Sequence, residues 1–415
     1  MSDPHHRPAS TPVGVEEARA RMLAEVAPLG SEPTRVGPEA LGRVLARAVS
    51  ARRDQPPFDA SAMDGYAVRP ADLHAGEATL TVVGESSAGR RWTQPLQPGQ
   101  AVRIFTGAPV PEAAVVVIQE DVTREGDRVR IGPRRGESDH VRRRGADFAA
   151  GAALLTAGLR LDPWRLSLAA AAGCAEVEVA RRPRLAILST GEEIVSAGRH
   201  ASPDQIGPDQ IYDSGGPALS SRVAQWGGVA QTLAPARDDE AAIAAAVEAA
   251  DAELIVTVGG ASVGDHDLVK PALARLGLTI LVPSIKMRPG KPTWFGRLDD
   301  GRLVLGLPGN PASALVSAEL FLRPLLSAWQ GADPALPMRA ARLAAPLPPT
   351  GPREHWMRAR LGFGADGTMT VAAFPDQDSS LVSVLALADA LLRRPAAAAA
   401  ATAGELVEVL SLERL

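Results

Sequence analysis

Three stretches in the middle of the chain combine glycine with small polar and acidic residues in a way that suits anion chemistry. The first is "GGASVGDHD" at residues 259–267, between an apolar run and a helix-like one. Glycines let backbone amides approach an anion closely, and a following helix N-terminus adds a positive pole. Gly259, Gly260, Ser262 and Gly264 are therefore candidate ligand contacts. The spacing is neither that of a dinucleotide fingerprint nor that of a Walker loop. Asp265 and Asp267 add carboxylates beside the same seat, and carboxylates next to phosphates commonly hold Mg²⁺. N-cap aspartates at a helix start fit the loop equally well.

The second stretch, "STGEEIV" at 189–195, places Ser189, Thr190 and Gly191 where they can bind an anion. Glu192 and Glu193 either hold a metal or cap the next element. The third, "LPGNPASA" at 307–314, is a turn stiffened by Pro308 and Pro311, with Gly309 and Asn310 between them. On its own it reads as a structural turn. Lysine is also selective: the 44 basic residues include only Lys270, Lys286 and Lys291, two of them within "IKMRPGKP". Nearer the N-terminus, "PPFDASAMDGYAV" sets Asp59, Ser61 and Asp64 in an apolar frame, where turn making is the plainer role. "RIFTGAPVP" and "VRRRGAD" each join a small polar site to glycine. Together these features suggest a Mg²⁺-dependent enzyme acting on a phosphorylated or nucleotide-bearing ligand.

The elements that must position these residues follow from apolar spacing. "RLAILST", "ELIVTVGG" and "LVLGLPG" are unbroken apolar strands between helical runs, which implies a parallel sheet covered on both faces. Ligands of such sheets bind at the carboxyl ends of the strands, where the three turns fall. "GVEEARARMLAEV" and "PEALGRVLARAV" have helical spacing. "TLTVVG", "AVRIF", "AVVVIQ" and "RVRIG" are short strands of an inserted β-domain. "DPWRLSLAAAAG" is a helix with Asp162 as N-cap and Pro163 at its first position. "HWMRARLGFG", "TMTVAAF" and "ELVEVLSL" are strands of a small C-terminal unit, and Ala396 to Ala401 is helix or spacer. The expected division is a tail at 1–13, an N-terminal region at 14–180 with an insert at about 52–140, an α/β domain at 181–331 and a β-domain at 335–415.

Bulk properties narrow the class. A chain of 415 residues with net charge −4 needs several cores and gives no general attraction to nucleic acid. The single Cys174 excludes an internal disulfide and reads as a buried thiol. The polar opening "MSDPHHRPASTP" resembles no signal peptide, and no run is long enough to span a membrane, so a cytoplasmic protein is expected.

The ordered motifs "PPFDASAMDGYAV", "RIFTGAPVP", "VRRRGAD", "STGEEI", "IYDS", "GGASVGDHD", "MRPGKP" and "LPGNPASA" resemble the molybdopterin molybdenumtransferases from about residue 14 to the C-terminus. The resemblance implies a multidomain α/β protein. It would have a three-layer molybdopterin-binding sheet domain, a helical and β N-terminal region carrying an inserted β-domain, and a small C-terminal β-barrel-like domain. It implies a homodimer with a cleft between domains and subunits, and transient contact with the adenylyltransferase and with molybdoenzyme maturation proteins. It implies a Mg²⁺-dependent reaction of molybdate with adenylylated molybdopterin that releases AMP. By motif it carries roles to Asp59, Asp147, Asp238, Asp267, Lys270 and Lys291 as catalytic residues. Thr106, Arg288, Pro308, Pro311 and Ser379 join the substrate contacts, and Glu193, Asp265 and Asp267 the metal site. Asp59 is expected to act across the dimer. Ala60, Gly215, Arg288 and Asp378 depart from the family pattern. The sheet domain also resembles the adenylyltransferase of the preceding step, but "GGAS" replaces its Gly-Gly-Thr-Gly. A non-catalytic scaffold of the same fold is a further alternative.

Overall fold

A computed structural model describes residues 11–73, 77–132, 138–196, 206–234, 239–260 and 268–413. The central sheet has six strands, in the spatial order Val229–Thr232, Arg184–Ser189, Leu254–Val258, Leu303–Leu307, Trp294–Arg297 and Thr279–Val282. The first four run parallel. The last two form an antiparallel edge, so the sheet is mixed rather than wholly parallel.

The unbroken apolar runs have a simple cause. Leu254–Val258 and Leu303–Leu307 are buried at every position. Successive side chains point to opposite faces, and both faces carry a core. Leu185 and Ile187 join one apolar cluster, and Ala186 and Leu188 join the other. The helices Gly215–Gln225 and Glu240–Glu248 each bury residues in one of these clusters.

One contact fixes the edge of the sheet. Trp294 is fully buried and lies directly opposite Gly306 in the register. A Cβ on Gly306 would sit 1.9 Å from the indole Nε1, so only glycine leaves room for the ring. The Lys270 ammonium stands 5.6 Å from the centre of that ring, within cation–π range.

The flanking units match their strand patterns. The insert is a six-stranded sheet that includes Gly65–Val68, Ala78–Ser86, Gln100–Ile104, Val115–Ile118 and Arg128–Ile131. The C-terminal region closes into a five-strand barrel of Met338–Leu343, Glu354–Phe363, Met369–Ala373, Ala390–Arg394 and Leu406–Ser411. The two-residue strand Met287–Arg288 attaches to its outside, parallel to Glu354–Phe363. Asp162 accepts the Arg165 amide at the start of the helix Pro163–Ala171, as its sequence predicts.

Two further expectations fail. "PEALGRVLARAV" forms only a short 3₁₀ turn at Pro38–Ala40. Gly42 takes φ +74°, and the amides of Gly42, Leu45 and Ala46 donate to Leu161, Leu159 and Glu178 instead of to a helix. Cys174 is half-buried rather than buried, against the cluster around Leu45 and Val177.

Replacing Gly306 with alanine should displace the indole and cost about 1–3 kcal/mol, as overpacking does. Urea unfolding monitored by tryptophan fluorescence measures this, and an unchanged midpoint would refute the contact.

Candidate active site

The carboxyl ends of three parallel strands open onto one cavity of about 840 Å³. That is within the range of small-molecule sites. Ser189, Thr190, Gly191 and Glu193 line it from the first turn. Gly259 and Gly260 line it from the second, and Pro308, Gly309, Asn310 and Pro311 from the third. The described parts of all three turns that the sequence singles out therefore meet in one place.

Backbone crowding explains the glycines. Gly259 has φ +96°, and a Cβ there would lie 2.7 Å from the Thr190 carbonyl oxygen and 2.9 Å from its Oγ1. Gly260 has φ +57°, and its Cβ would meet Val269 Cγ2 at 2.3 Å. The Thr190 amide donates to the Val258 carbonyl at 3.0 Å, and the Gly259 amide to that of Leu307 at 3.1 Å. These bonds tie the three strand ends together.

Asp213 is a wall residue that the sequence reading left out. Its Oδ1 accepts the Gly215 and Gly216 amides at 3.0 and 2.9 Å, and its Oδ2 accepts the Ser189 hydroxyl at 2.9 Å. The N-terminus of the helix Gly215–Gln225 is therefore capped by the protein's own carboxylate. A Cβ on Gly216 would lie 2.6 Å from Asp213 Oδ2, so the second glycine makes this cap possible. The signal was present in "IYDS" followed by two glycines.

The C-terminal region supplies Ser380 and Val382 to the cavity. Ser379 is engaged differently: its Oγ accepts Asn310 Nδ2 at 2.8 Å, and its carbonyl accepts the Ala312 amide at 3.1 Å. It thus holds the start of the helix Pro311–Ser317. Asp378 accepts the amide and hydroxyl of Ser380 at 2.8 and 2.7 Å. Those bonds hold its carboxyl below the usual carboxylate range.

Other candidates lie elsewhere. Lys291 is exposed at the rim, next to Pro292, which lines the cavity. Lys270 lies over Trp294. Arg288 lines a second, smaller pocket at the C-terminal barrel. Asp59, Thr106 and Asp147 belong to the N-terminal region and do not line the cavity of their own chain. Asp59 accepts the Arg144 amide at 2.8 Å and the Arg143 guanidinium at 2.9 Å. These bonds, the amide first, hold its carboxyl below the ordinary range. Asp64 is anchored likewise, accepting the amide and hydroxyl of Thr106 at 2.8 and 2.9 Å. Asp147 is exposed. Asp238, Ser262, Gly264, Asp265 and Asp267 lie outside the described residues.

Among the described residues, no three acidic, imidazole or thiol groups converge as a metal centre. The local chemistry nevertheless suits Mg²⁺. Glu193 presents a carboxylate to the cavity, and a Cβ on Gly191 would lie 2.7 Å from that carboxylate. Mg²⁺ takes one or two carboxylates and completes its shell with water and phosphate oxygens.

Known proteins resemble the chain along most of its length. The MoeA N-terminal region (domain I and II) matches residues 13–173. A probable molybdopterin-binding domain matches 186–328, and the MoeA C-terminal region (domain IV) matches 340–412. Molybdopterin molybdenumtransferase 2 of Mycobacterium tuberculosis H37Rv is 38% identical over 387 residues, 90% of this chain and 93% of that protein. The molybdopterin molybdenumtransferase of a Nostoc species is 40% identical over 294 residues, 69% of this chain and 66% of that protein. The crystal structure of a molybdopterin biosynthesis MoeA protein from Pyrococcus horikoshii superimposes with TM-score 0.80 at 30% identity, covering 98% of this chain and 100% of that one.

Two outcomes follow from the hydrogen bonds. Asp213→Ala removes the acceptor of the Gly215 and Gly216 amides and should cost about 1–2 kcal/mol in urea unfolding, the scale of a lost capping bond; no loss would place these bonds outside the stabilising contacts. Asp59 has a folded pKa below its unfolded value of about 3.9. Its contribution to stability is therefore present above that value and is lost as pH falls through the lower folded one. Asp59→Asn should flatten the acid limb of a stability–pH profile below about pH 4; an unaltered limb would contradict the assignment.

Proposed function

This chain belongs to the molybdopterin molybdenumtransferase family, and from that premise we propose the reaction it carries out within molybdenum cofactor biosynthesis. It joins molybdate to the two dithiolene sulfurs of adenylylated molybdopterin. Water opens the phosphoanhydride, AMP leaves, and two Mo–S bonds form while molybdate oxygens depart as water. The sulfurs belong to the substrate, in keeping with a chain that has one cysteine. The observation that carries the reading is the convergence of the three strand-end turns on a single cavity of about 840 Å³.

Each part of the cavity has a physical role in this reading. The helix beginning at Pro311 presents its positive end to the cavity and favours phosphate there. Ser189 directs its proton to Asp213, so toward the ligand its oxygen is an acceptor. Glu193, with Asp265 and Asp267, would hold Mg²⁺, which when bound neutralises the phosphoanhydride oxygens. Lys291 at the rim supplies a compact ammonium for a small tetrahedral oxyanion. Lys270, Asp238 and Asp147 complete the family set.

We read the working enzyme as a cytoplasmic homodimer that hands on its product to maturation proteins and receives its substrate from the adenylyltransferase. The position of Asp59, Thr106 and Asp147 away from their own cavity supports a dimer in which they reach the partner's. Among the described residues, no helix is long and apolar enough to cross a membrane.

Lys291→Ala should lower AMP release and metal insertion about a hundredfold or more, the scale of losing a charge-stabilising group. Lys286→Ala, at an exposed position, should leave most of both. Quantifying AMP and product-bound molybdenum for the two variants decides it. Equal losses would overturn the role of Lys291, and adenylylated molybdopterin accumulating from ATP and molybdopterin without molybdate would overturn the reaction.

A further inference from the structure

Tyr212 is the one aromatic side chain among the described residues that line the larger cavity. It is 41% exposed, and Ile194 and Ile211 line the cavity from the same two-stranded ribbon. No step of the proposed reaction uses it. An aromatic ring left open to water in the wall of a ligand cavity gains free energy when a ligand surface covers it.

The backbone beneath this ring is fixed on both sides. Ile211–Tyr212 pairs in parallel with Ile194–Val195. The Ile211 amide donates to the Glu193 carbonyl at 2.8 Å, and the Asp213 amide to that of Val195 at 2.9 Å. Asp213 is held again by the Gly215 and Gly216 amides that it accepts. Tyr212 thus stands between two pinned residues. A tyrosine has only two side-chain torsions to order, so a ring presented from a fixed backbone loses little entropy on binding.

The surroundings select a planar group. At the strand ends Ser189, Thr190, Gly259 and Gly260 give the cavity small polar side chains and backbone. The ribbon instead offers an aromatic face flanked by two isoleucines. Heterocyclic bases stack on such a face because each has a π-surface of its own. Glu193 lines the cavity and also bonds the ribbon through its carbonyl, so the carboxylate read as a Mg²⁺ ligand and the tyrosine ring share one wall. Adenylylated molybdopterin has two planar heterocycles, adenine and the pterin. We infer that Tyr212 stacks on one of them and fixes that end of the ligand while the strand ends take its phosphates. The inference rests on adenylylated molybdopterin as the ligand of this cavity.

The chain has two tyrosines, and the other, Tyr66, is 4% exposed in the insert strand Gly65–Val68. Full-length protein labelled with fluorotyrosine therefore gives two fluorine NMR resonances, and Tyr212→Phe assigns one of them by removing it. AMP or neopterin should move the Tyr212 resonance and leave that of Tyr66. A ribose phosphate without a base should leave both in place. Tyr212→Leu should weaken binding of the ring-bearing probe about fivefold or more, the scale of one lost base–aromatic stack. Tyr212→Phe keeps the ring and should bind that probe as the unaltered protein does. A response to AMP alone assigns the face to adenine, and a response to neopterin alone assigns it to the pterin. A response to both assigns it to planar heterocycles in general. No movement with either probe, an equal movement with the ribose phosphate, or undiminished affinity in Tyr212→Leu overturns the stack. These probes need no turnover, so such a result leaves the insertion reaction standing, whereas failure of that reaction is read separately from product-bound molybdenum.

Discussion

The space that a Cβ of residue 259 would occupy is already filled by the carbonyl and hydroxyl of Thr190. Much of the central domain depends on that exclusion. The Gly259 amide bonds to Leu307, and the Thr190 amide to Val258, so three strands end at the same level. A Cβ on Gly309 would lie 3.5 Å from Gly259 Cα, which brings the third turn against the second. Without glycine at 259 the strand ends would have to separate, and the cavity would lose its floor. The polar residues need no long side chains because backbone approach does the positioning.

The same device works at the far edge of the sheet. Gly306 gives up its side chain so that Trp294 can lie across the strand, and the ring then carries Lys270. The aromatic face contributes to holding that cation in place. Asp213 illustrates the opposite choice. It neutralises one helix end internally, while the helix at Pro311 starts on the cavity wall with its Ala312 amide taken by the Ser379 carbonyl.

The sheet strands were legible because burial on both faces demands unbroken apolar residues, as at Leu254–Val258. The barrel and insert strands were legible for their length and their turn residues. The segment after Pro38 has helical spacing, but its amides bond to Leu159, Leu161 and Glu178, distant in sequence, and its apolar residues Leu45 and Val49 pack in a cluster with Leu155 and Leu161. Within the site, turns could be read locally, since glycine and proline report backbone geometry wherever they occur. Partnerships could not. That Asp213 faces Ser189, that Gly306 yields to Trp294, and that Arg394 and His355 share a pocket each depend on register between strands far apart in the chain.

The segment from Ile285 to Lys291 joins these levels. The Lys286 amide donates to Val13 at 2.7 Å, and its carbonyl accepts the Glu354 amide at 3.0 Å. Its main chain thus ties the N-terminal segment to the barrel, while its exposed side chain has no part in that link. Gly290, at φ +103°, lets the chain turn back: a Cβ there would lie 2.6 Å from Ser317 Oγ, and the Lys291 carbonyl accepts the Ile285 amide. Three basic residues in one short stretch therefore meet different surroundings. Lys286 faces solvent, Arg288 faces the barrel pocket, and Lys291 stands at the rim of the larger cavity. Lys291 keeps its compact ammonium exposed beside Pro292, which lines that cavity. Arg288 instead shares its pocket with Arg353, Arg394 and His355. Position along one turn separates the two kinds of cation, and the fold gives each its own space.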